Sequence, residues 1–225
     1  MTETTLTGIR AVLYDFDGTL ADSTELIMRS YRHTMRTHLG DVPADEVWLS
    51  GFGMTLESQM RRFGRDHAEV EAMLDTYREF QDGIHDELLR PFPDAVDTVA
   101  ELERRGFGLA IVTSKHRHAA MRGMELCGLV RHFDVIITPE DVAEPKPHPE
   151  PVLMALEKLG VAPHEALFVG DSPHDVAAGR AAGTRTAAAL WGPFSRQALE
   201  DARPDAFLRE QRDVLRLLNG HGSAD

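Results

Sequence analysis

Residues 11–20 read AVLYDFDGTL, an apolar run that ends in two aspartates one residue apart, Asp15 and Asp17, followed at once by Gly18. An apolar run without polar alternation is what a strand covered on both faces requires. Side chains two apart on an extended segment point the same way, so the two carboxylates converge and repel unless something holds them. The same texture recurs in FGLAIVTS, FDVIITPED, ALFVGDS and TRTAAALWG. Amphipathic helices separate these runs. DAVDTVAELERRG is expected to start at an Asp94 cap and stop at Gly106. PEPVLMALEKLG is expected to stop at Gly160, with Val152, Leu153, Leu156 and Leu159 on one face. Strand then helix, repeated, implies an α/β fold: a doubly wound parallel sheet with helices on both faces and ligands beyond the carboxyl ends of its strands.

One segment breaks the alternation. Residues 22–90 hold no convincing strand but several helical patterns, STELIMRSYRHTMRTHLG, LESQMRRFG and DHAEVEAMLDTYREFQDGIHDELL. In the last, Val70, Met73, Leu74, Tyr77 and Phe80 keep helical spacing, and Asp66 with Glu69 has the form of a capping box. The expected organisation is a catalytic α/β core of residues 1–21 and 91–225, with 22–90 inserted as a helical lid. The closing NGHGSAD reads as a frayed tail.

The 225 residues are 42% hydrophobic, enough for a substantial core, and carry a formal net charge of −13. That charge argues against sequence-independent binding to nucleic acid or anionic membrane, so an anion site must be built locally. The polar start MTETTLTG and the lack of a long apolar stretch lead us to expect a cytoplasmic protein, monomer or homodimer. Cys127 is the single cysteine, which precludes an internal disulfide; it reads as a small buried hydrophobe at the end of a helix that Gly128 stops.

Polar residues stand at the end of strand after strand. After the first come Asp15 and Asp17, after the second Thr113 and Ser114, after the fourth Gly170, Asp171 and Ser172. Lys146 lies among Pro145, Pro147 and Pro149, which limit where it can reach. Asp175 follows Asp171 by four residues at a helix start, so both can face one crevice. Four aspartates against one lysine cannot persist at close range without a cation, and an all-oxygen donor set with open positions suits Mg²⁺. Asp15 is the natural nucleophile toward phosphorus, and Asp17 is placed to donate and accept the proton. Thr113 or Ser114 can hydrogen-bond a phosphoryl oxygen, Lys146 can neutralise charge on it, and Gly18 leaves room for backbone amides to approach.

DFDGTL, VTS, KP and GDSPHD, in this order and spacing, resemble the four motifs of the haloacid dehalogenase superfamily across nearly the whole chain. YREFQDGIHDEL, AEPKPHPEP and FVGDSPHDVAAG are most similar to the branch holding phosphoglycolate phosphatases and bacterial pyrophosphatases, with the latter slightly closer. The resemblance implies a Rossmann-like core and a helical cap after the first motif. It also implies Mg²⁺ held by the Asp15 carboxylate, the Asp17 carbonyl and Asp171, with Asp175 in support. The second aspartate, Asp17, argues against a dehalogenase, which needs no proton donor there. The expected reaction is release of phosphate from a small phosphorylated metabolite or pyrophosphate through an aspartyl-phosphate. The alternatives are a sugar-phosphate mutase with the same core or a phospho-receiver domain that does not turn over. His148 and His174 read as solvated loop histidines flanking the motifs. Trp48 is either a packed aromatic or part of a specificity loop, and Arg61, Arg62 and Arg65 are candidates for a second anionic group of the substrate.

Overall fold

The computed structural model describes residues 5–218; the tail NGHGSAD lies outside them. In chain order, β1 (Ala11–Tyr14) leads through β2 (Ala21–Asp22) into four helices: α1 (Thr24–Leu39), α2 (Asp45–Leu49), α3 (Leu56–Met60) and α4 (His67–Leu88). The chain returns at β3 (Arg90–Pro91), which pairs antiparallel with β2. Then follow α5 (Ala95–Arg104), β4 (Gly108–Val112), α6 (Arg117–Leu126), β5 (Val135–Ile137) and α7 (Glu150–Leu159). The chain continues with β6 (Ala166–Gly170), α8 (Pro173–Ala182), β7 (Arg185–Ala189), α9 (Arg196–Ala202), β8 (Ala206–Leu208) and α10 (Asp213–Leu217). Six of the strands form one parallel sheet in the order β5-β4-β1-β6-β7-β8, so all five apolar runs become neighbouring strands and β1 lies inside.

Alternation along the inner strands explains why they read as continuous apolar runs. Val12, Tyr14, Leu109, Ile111, Leu167 and Val169 enter one buried cluster with Val99, Leu102, Met124 and Val214. Ala11, Leu13, Ala110, Val112, Ala166 and Phe168 enter a second cluster with Val152, Ala155, Leu156 and Ala178. Helices cover both faces, so neither parity of side chain meets water. The inserted helices keep a cluster of their own, in which Tyr31, Trp48, Met60, Val70, Met73, Leu74 and Tyr77 pack together.

Several local expectations need correction. Leu153 is 42% exposed, and Ala155 takes its place beside Val152 and Leu156 against the sheet. Asp94 precedes α5 with φ +62° but makes no side-chain cap; its Oδ1 accepts instead from Arg212 of the C-terminal segment at 2.9 Å. The capping box at α4 is half formed. Asp66 accepts from the Glu69 N–H at 2.9 Å, while the Glu69 carboxylate takes the Arg65 N–H at 2.6 Å. Phe80 is half-buried, stacked on His33 at 4.1 Å between ring centroids. The helix α2, the ribbon β2–β3 and the short edge strand β8 carry too few residues to show a period in the sequence. Among the described residues no helix is long and apolar enough to cross a membrane.

Candidate active site

The carboxyl ends of β1, β4 and β6 lie side by side, because Tyr14 is in register with Ile111 on one side and Val169 on the other. Asp15 continues the ladder, its N–H donating to the Val169 carbonyl at 2.9 Å. Its Oδ1 accepts from the Phe16 N–H at 2.7 Å and meets Lys146 Nζ at 3.1 Å. Among the described residues no hydrogen bond reaches its Oδ2. Lys146 is buried and also reaches Asp175 Oδ1 at 2.7 Å and the carbonyl of Val112, the last residue of β4, at 3.0 Å. One ammonium group thus ties β1, β4 and α8 together.

α8 begins in a reciprocal capping box. The Asp175 N–H donates to Ser172 Oγ at 3.2 Å, and the Asp175 carboxylate accepts from the Ser172 N–H at 3.0 Å and O–H at 2.6 Å. This box fixes Asp171, just before it, beside Asp15. Carboxylate oxygens of Asp15, Asp171 and Asp175 all lie within 4.8 Å of one another, and all three residues are buried. Asp171 Oδ1 accepts from Thr19 Oγ1 at 2.7 Å, whereas its Oδ2 is buried with no partner. A buried carboxylate oxygen left bare is costly, and a bound cation removes that cost. Burial pushes the Asp171 carboxyl well above its ordinary value, with Asp175 and Asp15 adding to the rise. Burial likewise pushes the Asp15 carboxyl up to about 7, with Asp175 and Asp17 adding to the rise and Lys146 opposing it. An all-oxygen set with excess negative charge fits a hard divalent ion. Asp175 has both oxygens already engaged, by Lys146 and Ser172, so it braces the group.

Three candidate residues sit differently from expectation. Asp17 turns its carboxylate to Lys115, whose Nζ lies 3.0 and 3.1 Å from its two oxygens. Lys115 escaped the sequence reading although it directly follows Thr113 and Ser114 in IVTSK; it brings the crevice to four carboxylates against two lysines. Ser114 Oγ donates to the carbonyl of Gly53 in the loop between α2 and α3 at 2.6 Å, while Thr113 Oγ1 accepts from the Lys115 N–H at 3.1 Å and lines the crevice. The Gly18 N–H donates to the Ala21 carbonyl at 2.9 Å, so it is not free to bind an anion. Glycine is required there because φ is +78° and a Cβ would collide with the Asp171 carboxylate.

The crevice opens into a cavity of about 340 Å³ between the sheet and the inserted helices, lined by Asp15, Asp17, Thr113 and Lys115 below and Trp48, Phe52 and Tyr77 above. Trp48 is both a packed aromatic, stacked on Tyr31 at 4.5 Å, and part of this wall. Arg61 and Arg65 pair with Glu57 and Glu69 one turn away, and Arg62 with Gln59 and the Val47 carbonyl, so none lines the cavity. Exposed His148 lies beside Glu150 and half-buried His174 beside the Gly53 loop; His116 and His118 line the cavity instead. Cys127 is buried, and burial pushes its thiol up to about 11, as an unreactive core position requires.

The profile of the haloacid dehalogenase-like hydrolases matches residues 12–189. Pyrophosphatase PpaX of Bacillus cereus (strain G9842) is 41% identical over 211 residues, covering 94% of this chain and 97% of its own. The haloacid dehalogenase-like family protein SP0104 of Streptococcus pneumoniae superposes with a TM-score of 0.81 at 27% identity over 94% of this chain and 99% of that one. A predicted phosphoglycolate phosphatase of Haemophilus somnus 129pt shares the fold, with a TM-score of 0.85 at 22% identity over 94% and 99%.

Proposed function

The chain belongs to the haloacid dehalogenase-like hydrolases and is a phosphatase of that family, and we propose that it is a Mg²⁺-dependent enzyme that releases phosphate from a small, highly anionic substrate through an aspartyl-phosphate on Asp15. Inorganic pyrophosphate ranks first and 2-phosphoglycolate second, because the curated relative at 41% identity is a pyrophosphatase. The observation that carries the reading is the knot at the strand ends. Lys146 is clamped between Asp15 and Asp175, and Asp171 beside them keeps a buried oxygen without a partner.

Asp15 Oδ2 attacks phosphorus while Oδ1 stays anchored by the Phe16 N–H and Lys146. The bond from phosphorus to the leaving oxygen breaks, and that oxygen takes a proton from Asp17. Asp17 then accepts a proton from the water that attacks the acyl phosphate, which regenerates Asp15 and frees orthophosphate. The Thr113 hydroxyl donates to a phosphoryl oxygen, and Lys115 keeps the Asp17 carboxylate at the cavity floor. Asp15, Asp171 and the Asp17 carbonyl would hold Mg²⁺, which when bound offsets negative charge on the phosphoryl oxygens and orients the substrate.

The test compares kcat/KM for pyrophosphate and 2-phosphoglycolate with that for a set of sugar phosphates, by phosphate release with Mg²⁺ present. Either of the first two should lead. A sugar phosphate ahead by more than about tenfold, a preference of about 1.4 kcal/mol, overturns the substrate assignment.

A further inference from the structure

The inserted helices contribute a single lysine, arginine or histidine to the cavity wall among the described residues, and it is Arg78. α4 presents it together with Tyr77, Gln81 and Asp82, positions that share one helical face. Its side chain is 44% exposed and lightly held: Nη1 lies 3.8 Å from Asp75, and Nη2 lies 3.5 Å from His116 Nε2 across the cavity mouth. Asp82, on the same face, is engaged by Arg122 of α6 at 3.3 Å. The other strong cation in the lining, Lys115, is already taken by Asp17.

The neighbour at 3.5 Å matters for what Arg78 can do. His116 Nδ1 lies 2.9 Å from Glu140 Oε1, and the Arg117 N–H donates to the same oxygen at 3.0 Å. A carboxylate in that position accepts, so His116 donates from Nδ1, which fixes the ring with Nε2 facing the guanidinium. Among the described residues the nearest carboxylate to the Arg78 guanidinium is that of Asp75 at 3.8 Å, so its charge is not closely paired.

We propose that Arg78 is the specificity-determining residue that receives the far anionic group of the substrate, a phosphoryl or carboxylate group, while the near phosphoryl sits at Asp15. This deepens the function proposed above and rests on it. The planar guanidinium offers two parallel N–H donors that match either group, and an apolar wall of Phe52, Met54 and Tyr77 leaves a doubly anionic ligand few other donors on the helical side.

The experiment measures binding calorimetrically with Mg²⁺ present, for methylenebisphosphonate, which has two anionic ends and no hydrolysable bridge, and for orthophosphate, which has one. Arg78→Ala should weaken the bisphosphonate by about tenfold or more and leave orthophosphate within about threefold, and Arg78→Lys should recover part of the loss. Equal weakening of both ligands, or no change for the bisphosphonate, overturns the proposal. Because these are dissociation constants of ligands that are not turned over, they stand apart from the substrate ranking, which fails separately if wild-type enzyme prefers a sugar phosphate.

Discussion

Replacing Gly53 with alanine should slow the enzyme without unfolding it. Gly53 has φ +89°, and a Cβ built there would stand 2.6 Å from Ser172 Oγ and 3.0 Å from Ser172 Cβ. Ser172 cannot yield cheaply, because its hydroxyl accepts from the Asp175 N–H at 3.2 Å and donates to the Asp175 carboxylate at 2.6 Å. The left-handed backbone costs an alanine about 1–2 kcal/mol, and relieving the overlap adds about 1 kcal/mol. The loop can shed both penalties by backing away from α8, at the expense of the hydrogen bond from Ser114 to the Gly53 carbonyl. The penalty therefore falls on the arrangement in which the helices sit down on the sheet. A loss of about 2–3 kcal/mol there lowers kcat/KM roughly 30- to 160-fold. Spread over the whole fold, the same loss would drop Tm by about 4–12 °C; only a small part of that is expected. Steady-state kinetics with p-nitrophenyl phosphate and pyrophosphate, beside a thermal melt, decide the matter. Ser114→Ala, which removes one hydrogen bond, should cost about 1 kcal/mol, or roughly fivefold in rate. Gly53→Ala activity within about threefold of wild type would refute the reasoning, as would a fall in Tm large enough to account for the whole loss.

Asp15→Asn should abolish turnover with Tm preserved; residual activity above about a hundredth of wild type would remove Asp15 as the nucleophile. Lys146→Met leaves the buried carboxylates without their ammonium partner, a change worth about 3–5 kcal/mol, so Tm should fall by about 6–20 °C along with activity. An unchanged melt would mean that the lysine is not the brace it is taken to be. Excess chelator should silence the enzyme and Mg²⁺ restore it, with Ca²⁺ a poor substitute because it takes more ligands at longer distances. Full activity in chelator excludes the metal.

The strands were legible because both their faces are buried, so AVLY, GLAIV and ALFVG lack the polar alternation that marks a half-exposed sheet. The acidic residues at their ends were legible because charge at the end of a buried strand has no packing reason to be there. What escaped the sequence was pairing across long separations. Lys115 and Asp17 meet over 98 residues and Ser114 and Gly53 over 61, and nothing local marks either pair. Arg61 and Arg65 misled for the opposite reason: their partners, Glu57 and Glu69, sit one helical turn away on the exposed surface. Asp94 has the composition of a helix cap, but its positive φ turns the side chain toward Arg212.

The ribbon of β2 and β3 has a consequence for how such a molecule can change over generations. Ala21 stands opposite Pro91 and Asp22 opposite Arg90, so the inserted stretch leaves and rejoins its host across one strand spacing, about 5 Å. A stretch whose two ends nearly touch can be lengthened, exchanged or shortened to a hairpin turn without moving the strands that Asp15 and Asp171 directly follow. The carboxylates at the strand ends and Arg78 on the insert thereby stand on separable pieces of the chain, and a lineage can revise the second while inheriting the first intact.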